Sequence, residues 1–335
     1  MKRFVTLIAL PVLAVAMAAP AQDGDSREKK DIEEKQDKPK GQTALRVAVN
    51  QVRVDVTVRT KRGDLIQGLQ KKTFKIYEDK VEQEIVNFTS IEAPMTVVMV
   101  TEYSNVLPWQ VLYEAWMASH MFVEQMKPED WFAVIAYDLR PEILVDFTQN
   151  KFEAFDSLRR LSFPGFSESC LYDTIIDVLD RLEEVDDRTA VVLISTGLDT
   201  LSKKNMDEAL NRVKKTHVVI YALGLGQLFR TMYDVRMTTS RRHDFYRADA
   251  VLKAFAKSTG GDTFFPRYVG DYPAVFQTIS NMLRHQYSLS YIPSNTKKAG
   301  KFRKIKVEVE ADLDGNGKMD KLKVNHRQGY LAEKS

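Results

Sequence analysis

The sequence predicts an α/β protein: a doubly wound, mostly parallel sheet with one antiparallel edge strand, plus a small antiparallel β domain built from the N- and C-terminal segments. Three observations predict it. TVVMV, WFAVIAY, AVVLIS and VVIYALGLG are continuous apolar runs, which suit strands covered on both faces, and helical periodicity lies between them. Both ends of the chain alternate apolar and polar residues, as half-buried strands do. DLRP, between WFAVIAY and EILVDF, is too short for a helical crossover, so that pair must be an antiparallel hairpin at the sheet edge.

The elements follow in order. MKR, then the apolar run FVTLIALPVLAVAMA, then Ala19, Pro20 and Ala21, read as a signal peptide over 1–21 cut near Ala21. The apolar run is too short to span a bilayer, and no later segment is long and apolar enough for stable membrane insertion. Residues 22–43 are charged and nearly free of aromatic and branched side chains, the composition of a disordered linker. In QVRVDVTVRT, Val52, Val54, Val56 and Val58 alternate with polar residues. TFKIYE and QEIVNF read as a hairpin, so the N-terminal part of the β domain covers 44–92.

The α/β domain covers 94–286. Trp109, Leu112, Trp116, Val123 and Met126 share one face of a first helix, Leu171, Ile175, Leu179 and Leu182 of a second, and Val275, Ile279, Met282 and Leu283 of a late one. The segment 227–246, with four arginines among Phe229, Tyr233 and Tyr246, reads as a long solvated loop with the composition of a binding surface. YSLSYIP, FRKIKVEVEA and LKVNHRQGYLA return to alternation, giving the C-terminal part of the β domain over 287–335.

The charge balance excludes some functions. With 49 basic and 46 acidic residues the formal net charge is +3, which gives no strong pull toward nucleic acid. Cys170 is the only cysteine, so no intramolecular disulfide forms. The five histidines are scattered and make no HExxH. GxSxG and the P-loop are absent, and GLG at 224–226 is an incomplete nucleotide fingerprint. Signal, lone cysteine and missing anchor together point to a secreted or periplasmic protein.

In open α/β sheets ligands bind beyond the carboxyl ends of the strands. Here that rim collects Glu102 and Ser104 after the first run, Ser169 in SESCLYD, and Thr196 in VVLISTG. The element order, the edge hairpin and these polar tips resemble the von Willebrand factor type A domain, which often carries a metal-ion-dependent adhesion site. The resemblance implies Asp-x-Ser-x-Ser after the first strand, a later Thr, and an Asp after the fourth strand. In this chain those positions are Glu102, Ser104, Val106, Ser169 and Thr196, with Asp199 nearby as a substitute carboxylate. Val106 offers no ligand atom and Thr196 no carboxylate, so the site reads as degenerate and the losses argue against Mg²⁺. Over nearly all of the chain after the signal peptide, the architecture resembles exported bacterial proteins known as von Willebrand factor A-related, found especially in acidobacteria.

DLDGNGKMD is a second ion-like stretch. Asp312, Asp314, Asn316 and Asp320 fall at positions 1, 3, 5 and 9 of a calcium loop, Gly317 at the sharp turn, and Lys318 where a backbone carbonyl is used. Lys323 replaces the closing Glu and no helices flank the loop. It resembles the calcium loops of integrin-type propeller hairpins, and it also suits a plain Gly/Asn/Asp turn. The expectation is Ca²⁺ at 312–320. The functional expectation is a non-catalytic module whose sheet-tip loops bind a protein or other extracellular macromolecule. A hydrolase acting through the same polar loops, or a purely structural envelope component, are the alternatives.

Overall fold

Valines 54, 56 and 58 are fully buried, so the alternation after residue 51 is a strand with one face in a core. In the computed structural model, which describes residues 51–90, 94–159, 161, 164–185, 188–296, 300–313, 315 and 317–332, this strand is β1 (Val52–Arg59). The signal peptide and charged linker expected over 1–43 lie outside the described residues. The described residues belong to one unit.

β2 (Phe74–Glu78) and β3 (Val81–Gln83) form a hairpin whose two-residue turn, Asp79 and Lys80, has positive φ at both positions, as tight hairpins require. QEIVNF does not continue this hairpin. The chain leaves at Glu84, and β4 (Ile85–Ser90) pairs instead with a strand near the C-terminus. The reason is burial: Ile85 faces the inside of one sheet and Gln83 the other, so the two halves of QEIVNF serve different sheets.

The α/β part follows. β5 (Thr96–Glu102) is buried at all seven positions. It leads to α1 (Trp109–Glu124), β6 (Trp131–Tyr137), β7 (Pro141–Thr148), α2 (Lys151–Arg159), α3 (Leu171–Arg181) and β8 (Thr189–Ser195). Then come α4 (Met206–Lys215), β9 (Val219–Gly224), α5 (Gly226–Tyr233), α6 (Thr239–Thr259), β10 (Thr263–Phe264) and α7 (Tyr272–Arg284). The six-stranded sheet has order β10-β9-β8-β5-β6-β7. β6 and β7 pair antiparallel at the edge, and the other pairs are parallel. Alternate residues of β5 feed opposite layers. Val97 and Met99 pack with α1, α2 and α7; Val98 and Val100 pack with α3, α4 and α6. Each such fully buried aliphatic side chain contributes about 2 kcal/mol.

The last strands are β11 (Tyr287–Tyr291), β12 (Phe302–Val309), β13 (Lys323–His326) and β14 (Gly329–Leu331). They interleave with the first ones in two four-stranded antiparallel sheets, β13-β1-β11-β4 and β14-β12-β2-β3, over a shared core of Val54, Val56, Phe74, Ile76, Leu289 and Val307. Strands from both ends of the chain thus build one β unit, and the doubly wound sheet is strung between them. Among the described residues no helix is long and apolar enough to cross a membrane.

The segment 227–246 is not a loop. It holds α5, a short 3-10 turn (Asp234–Arg236) and the start of α6. Thr238 caps α6 by accepting from the Arg241 N–H at 3.3 Å, Phe245 is fully buried, and Arg230 reaches across to Asp249 at 2.6 Å in a buried ion pair. Polar residues on the outer faces of both helices hid this apolar side from the sequence.

Candidate functional site at the sheet tip

β5 ends in a glutamate that points inward. Glu102 is fully buried. Its side chain crosses to the end of β8, where the loop after Ser195 supplies donors. Glu102 Oε2 accepts from the Thr196 backbone N–H at 2.7 Å, from Thr196 Oγ1 at 2.9 Å and from Ser195 Oγ at 3.1 Å. Oε1 accepts from Ser104 Oγ at 2.6 Å and lies 3.1 Å from Thr196 Oγ1. Tyr137, at the end of β6, donates its hydroxyl to Ser195 Oγ at 2.7 Å and so extends the chain of hydrogen bonds to a third strand. Burial pushes the Glu102 carboxyl up from the usual carboxylate range, and the hydrogen bonds from Ser104, Thr196 and Ser195 pull it partly back. Burial likewise holds the Tyr137 phenol well above its ordinary value.

The turn after β8 depends on Gly197. Its φ is +77°, and a Cβ there would come within 2.6 Å of the Ala248 carbonyl oxygen on α6. That close approach lets the turn fold back, with Gly197 N–H donating to Ser195 Oγ at 2.8 Å.

The remaining expected residues lie one loop away. Ser169 Oγ donates to the Leu198 carbonyl at 3.1 Å, and its N–H donates to Thr200 Oγ1 at 2.9 Å. Asp199 faces α3: its Oδ2 accepts from the Tyr172 N–H at 2.9 Å and from Ser202 Oγ at 2.5 Å. It therefore satisfies one of the open N–H groups at the start of α3, where Cys170 at the cap position provides no side-chain acceptor. Cys170 itself is buried, and burial pushes its thiol up. Glu102, Ser104 and Thr196 thus meet directly, Ser169 joins through the 198–200 backbone, and Asp199 belongs to a separate cap.

These residues do not fit Mg²⁺, which needs about six oxygen ligands with free lone pairs directed at it. Both oxygens of Glu102 are taken by protein donors, Ser169 Oγ is turned onto a carbonyl, and Val106 has nothing to offer. The glutamate's extra methylene, relative to aspartate, carries its carboxylate into contact with Thr196. Sequence reasoning missed Ser195 and Tyr137. The only signal for Ser195 was its place immediately before Thr196.

Beside this network lies a groove of about 370 Å³, bounded by Asn105–Pro108 on one side and Phe229, Tyr233, Arg236, Met237 and Arg241 on the other. Arg241 sits over the Phe229 ring at 5.6 Å. Arg236 and Arg241 are exposed, and neither has an ion-pair partner among the described residues.

At 312–320, Asp314 and Asn316 lie outside the described residues. Asp312 accepts from the N–H groups of Gly315 at 2.9 Å and Gly317 at 2.7 Å, and Asp320 accepts from the Leu313 N–H at 2.9 Å. These two carboxylates brace the turn. Lys318 is exposed. Among the described residues no group of three or more His, Cys, Asp or Glu side chains is placed to hold a metal ion.

No family model and no curated protein matches the chain. Among solved structures it is similar to a von Willebrand factor type A protein from Catenulispora acidiphila, at 10% identity over 78% of this chain and 75% of that one, TM-score 0.46. It is similar to the von Willebrand factor domain of the type V pilus tip protein Mfa5 from Porphyromonas gingivalis, at 14% identity over 58% of this chain and 96% of that one, TM-score 0.45. An aerotolerance-related membrane protein from Bacteroides fragilis shares 14% identity over 56% of this chain and 98% of its own, TM-score 0.44.

Proposed function

We propose that this protein is an exported, non-catalytic binding module that holds an acidic segment of another extracellular macromolecule in the groove beside the β5 tip, with no bridging metal. The observation that carries the reading is the pairing of two exposed guanidiniums, without an ion-pair partner among the described residues, with an aromatic wall in one groove at the carboxyl end of the sheet. Arginine forks suit carboxylates, and Phe229 and Tyr233 suit an apolar side chain next to them. The tip's hydroxyls are spent on Glu102, which favours binding over nucleophilic chemistry. Export rests on the N-terminal basic and apolar pattern.

The test is cross-linking from a photoreactive residue at Val106, in the presence and absence of EDTA, to a partner or to acidic peptides bearing an aromatic residue. Capture should survive EDTA and fall at least tenfold in an Arg236→Glu, Arg241→Glu variant. Capture that needs Mg²⁺ and ignores the charge reversal overturns the reading. For 312–320 we propose a weak structural Ca²⁺, supported by the Asp/Asn spacing. Calorimetry should show Ca²⁺ heat that disappears in Asp314→Ala and stays in Ser104→Ala; a plain turn gives no heat in any of the three.

A further inference from the structure

The opposite end of the parallel sheet presents the reverse electrostatic problem. Arg188 sits just before β8 and is only 7% exposed. One arm of its guanidinium is well used: Nη2 donates to Gln286 Oε1 at 2.7 Å and to the Leu283 carbonyl, and Nε lies 3.3 Å from Gln286 Oε1. Nη1 is buried and has no hydrogen-bond partner among the described residues. Leaving a charged donor unsatisfied in the interior is costly, so a partner for this nitrogen is expected.

Arg188 lines a small cavity of about 20 Å³, together with Arg53 and Asp55 of β1, Thr189, His217, Val219, Thr259 and Arg327. The volume is enough for one water or one monatomic ion, since a single water occupies roughly 10–15 Å³. Among the described residues the lining carries three guanidiniums against one carboxylate. Asp55 is already engaged by Arg53, whose Nε donates to Asp55 Oδ1 at 3.1 Å. Arg327 uses its Nε on the Gly329 carbonyl at 3.0 Å. Burial works against the positive charge of both Arg188 and Arg327, and the pull of Asp55 offsets only part of that. A water would supply a lone pair to Nη1 but would leave the excess positive charge uncompensated. A small anion supplies both.

We propose that this cavity binds a single chloride-sized halide. Such a site lies where the parallel sheet meets the β unit: its residues come from β1, the starts of β8 and β9, the end of α6, and the β13–β14 turn. Arg327 also forms a backbone bridge with Thr259 there. The anion neutralises a cluster of cations that the two layers bring together, so it acts as a structural link between them.

Two measurements test this on the full chain. In the first, thermal unfolding is followed at constant ionic strength while sodium glutamate is replaced by sodium chloride, then by sodium bromide. Native protein should show a saturable rise in Tm; at a hundredfold excess of halide over its Kd the folded-to-unfolded ratio grows about 100-fold. Arg188→Gln should lose that rise. A halide response identical in Arg188→Gln, or no response in the native chain, overturns the proposal. The second needs no variant: crystals grown in bromide should give an anomalous peak within hydrogen-bonding distance of Arg188 Nη1. A water without anomalous signal, or a peak only on the outer surface as an adventitious ion, overturns it as well.

Discussion

Glu102 and Glu78 face the same physical problem and solve it differently. Both carboxylates are buried, at 0% and 3% exposure. Glu78, at the end of β2, is met by charge: Arg303 donates to it at 2.9 Å, while the Tyr291 and Tyr330 hydroxyls donate at 2.7 and 2.8 Å. Glu102 is met only by neutral donors from Ser104, Ser195 and Thr196. A guanidinium balances the lost hydration of a carboxylate by Coulomb attraction as well as hydrogen bonding, whereas hydroxyls and one amide supply hydrogen bonds alone. The consequence is a raised Glu102 proton affinity at the tip. Around Glu78 the burden falls on the phenols: burial and the neighbouring carboxylate push Tyr330 up to about 12 and Tyr291 higher still.

Truncation should expose the contrast most sharply. Glu78→Ala strands a buried arginine with two phenols, and breaking a buried pair from one side costs about 4 kcal/mol. Glu102→Ala leaves only neutral donors without an acceptor, so its cost should be smaller, about 3 kcal/mol. Urea unfolding of both variants, compared at one pH, measures the difference. Equal losses, or a larger one at Glu102, would mean that the tip carboxylate also balances a positive charge, which the neutral-donor description denies.

The same contrast explains what could be read from the chain and what could not. TVVMV and AVVLIS announced buried parallel strands because every residue in them is apolar, a local property. DLRP fixed the β6–β7 hairpin because chain length alone forbids a crossover. That Glu102 stands where the resemblance expects an aspartate, and Val106 where it expects a hydroxyl, was visible too. The reach of one extra methylene to Thr196 was not visible, because it depends on the distance between the ends of β5 and β8. Ser195 and Tyr137 were missed for the same reason: nothing local marks a serine as the donor to a carboxylate 93 residues away. The three arginines of that cavity, Arg53, Arg188 and Arg327, come from three separate stretches, so no spacing joins them. At 227–246 the failure was different. Thr238 is a good cap and Phe245, Ala248 and Leu252 share a buried face, yet the arginine-rich outer surface dominated the reading.

The smallest expected effect separates charge from hydrogen bonding at the tip. Glu102→Gln keeps the size and a carbonyl acceptor for the Thr196 N–H, and its amide can donate to Ser104 Oγ after that hydroxyl rotates. At acidic pH the change should stay within about 1 kcal/mol of the native chain. The pH dependence should differ more tellingly. Because burial raises the folded-state proton affinity of Glu102 above the ordinary value of 4.5, the folded chain holds that proton more tightly than the unfolded one. The resulting stability is fully present below the unfolded value and is lost as pH climbs through the raised folded value. Glutamine has no proton to lose, so Glu102→Gln should be flatter than native across the range above pH 4.5, and the two curves should converge or cross as pH rises. Unfolding free energies at a series of pH values give the comparison directly. Parallel curves would mean that the hydroxyls and the Thr196 amide hold the ionised carboxylate as well as water does.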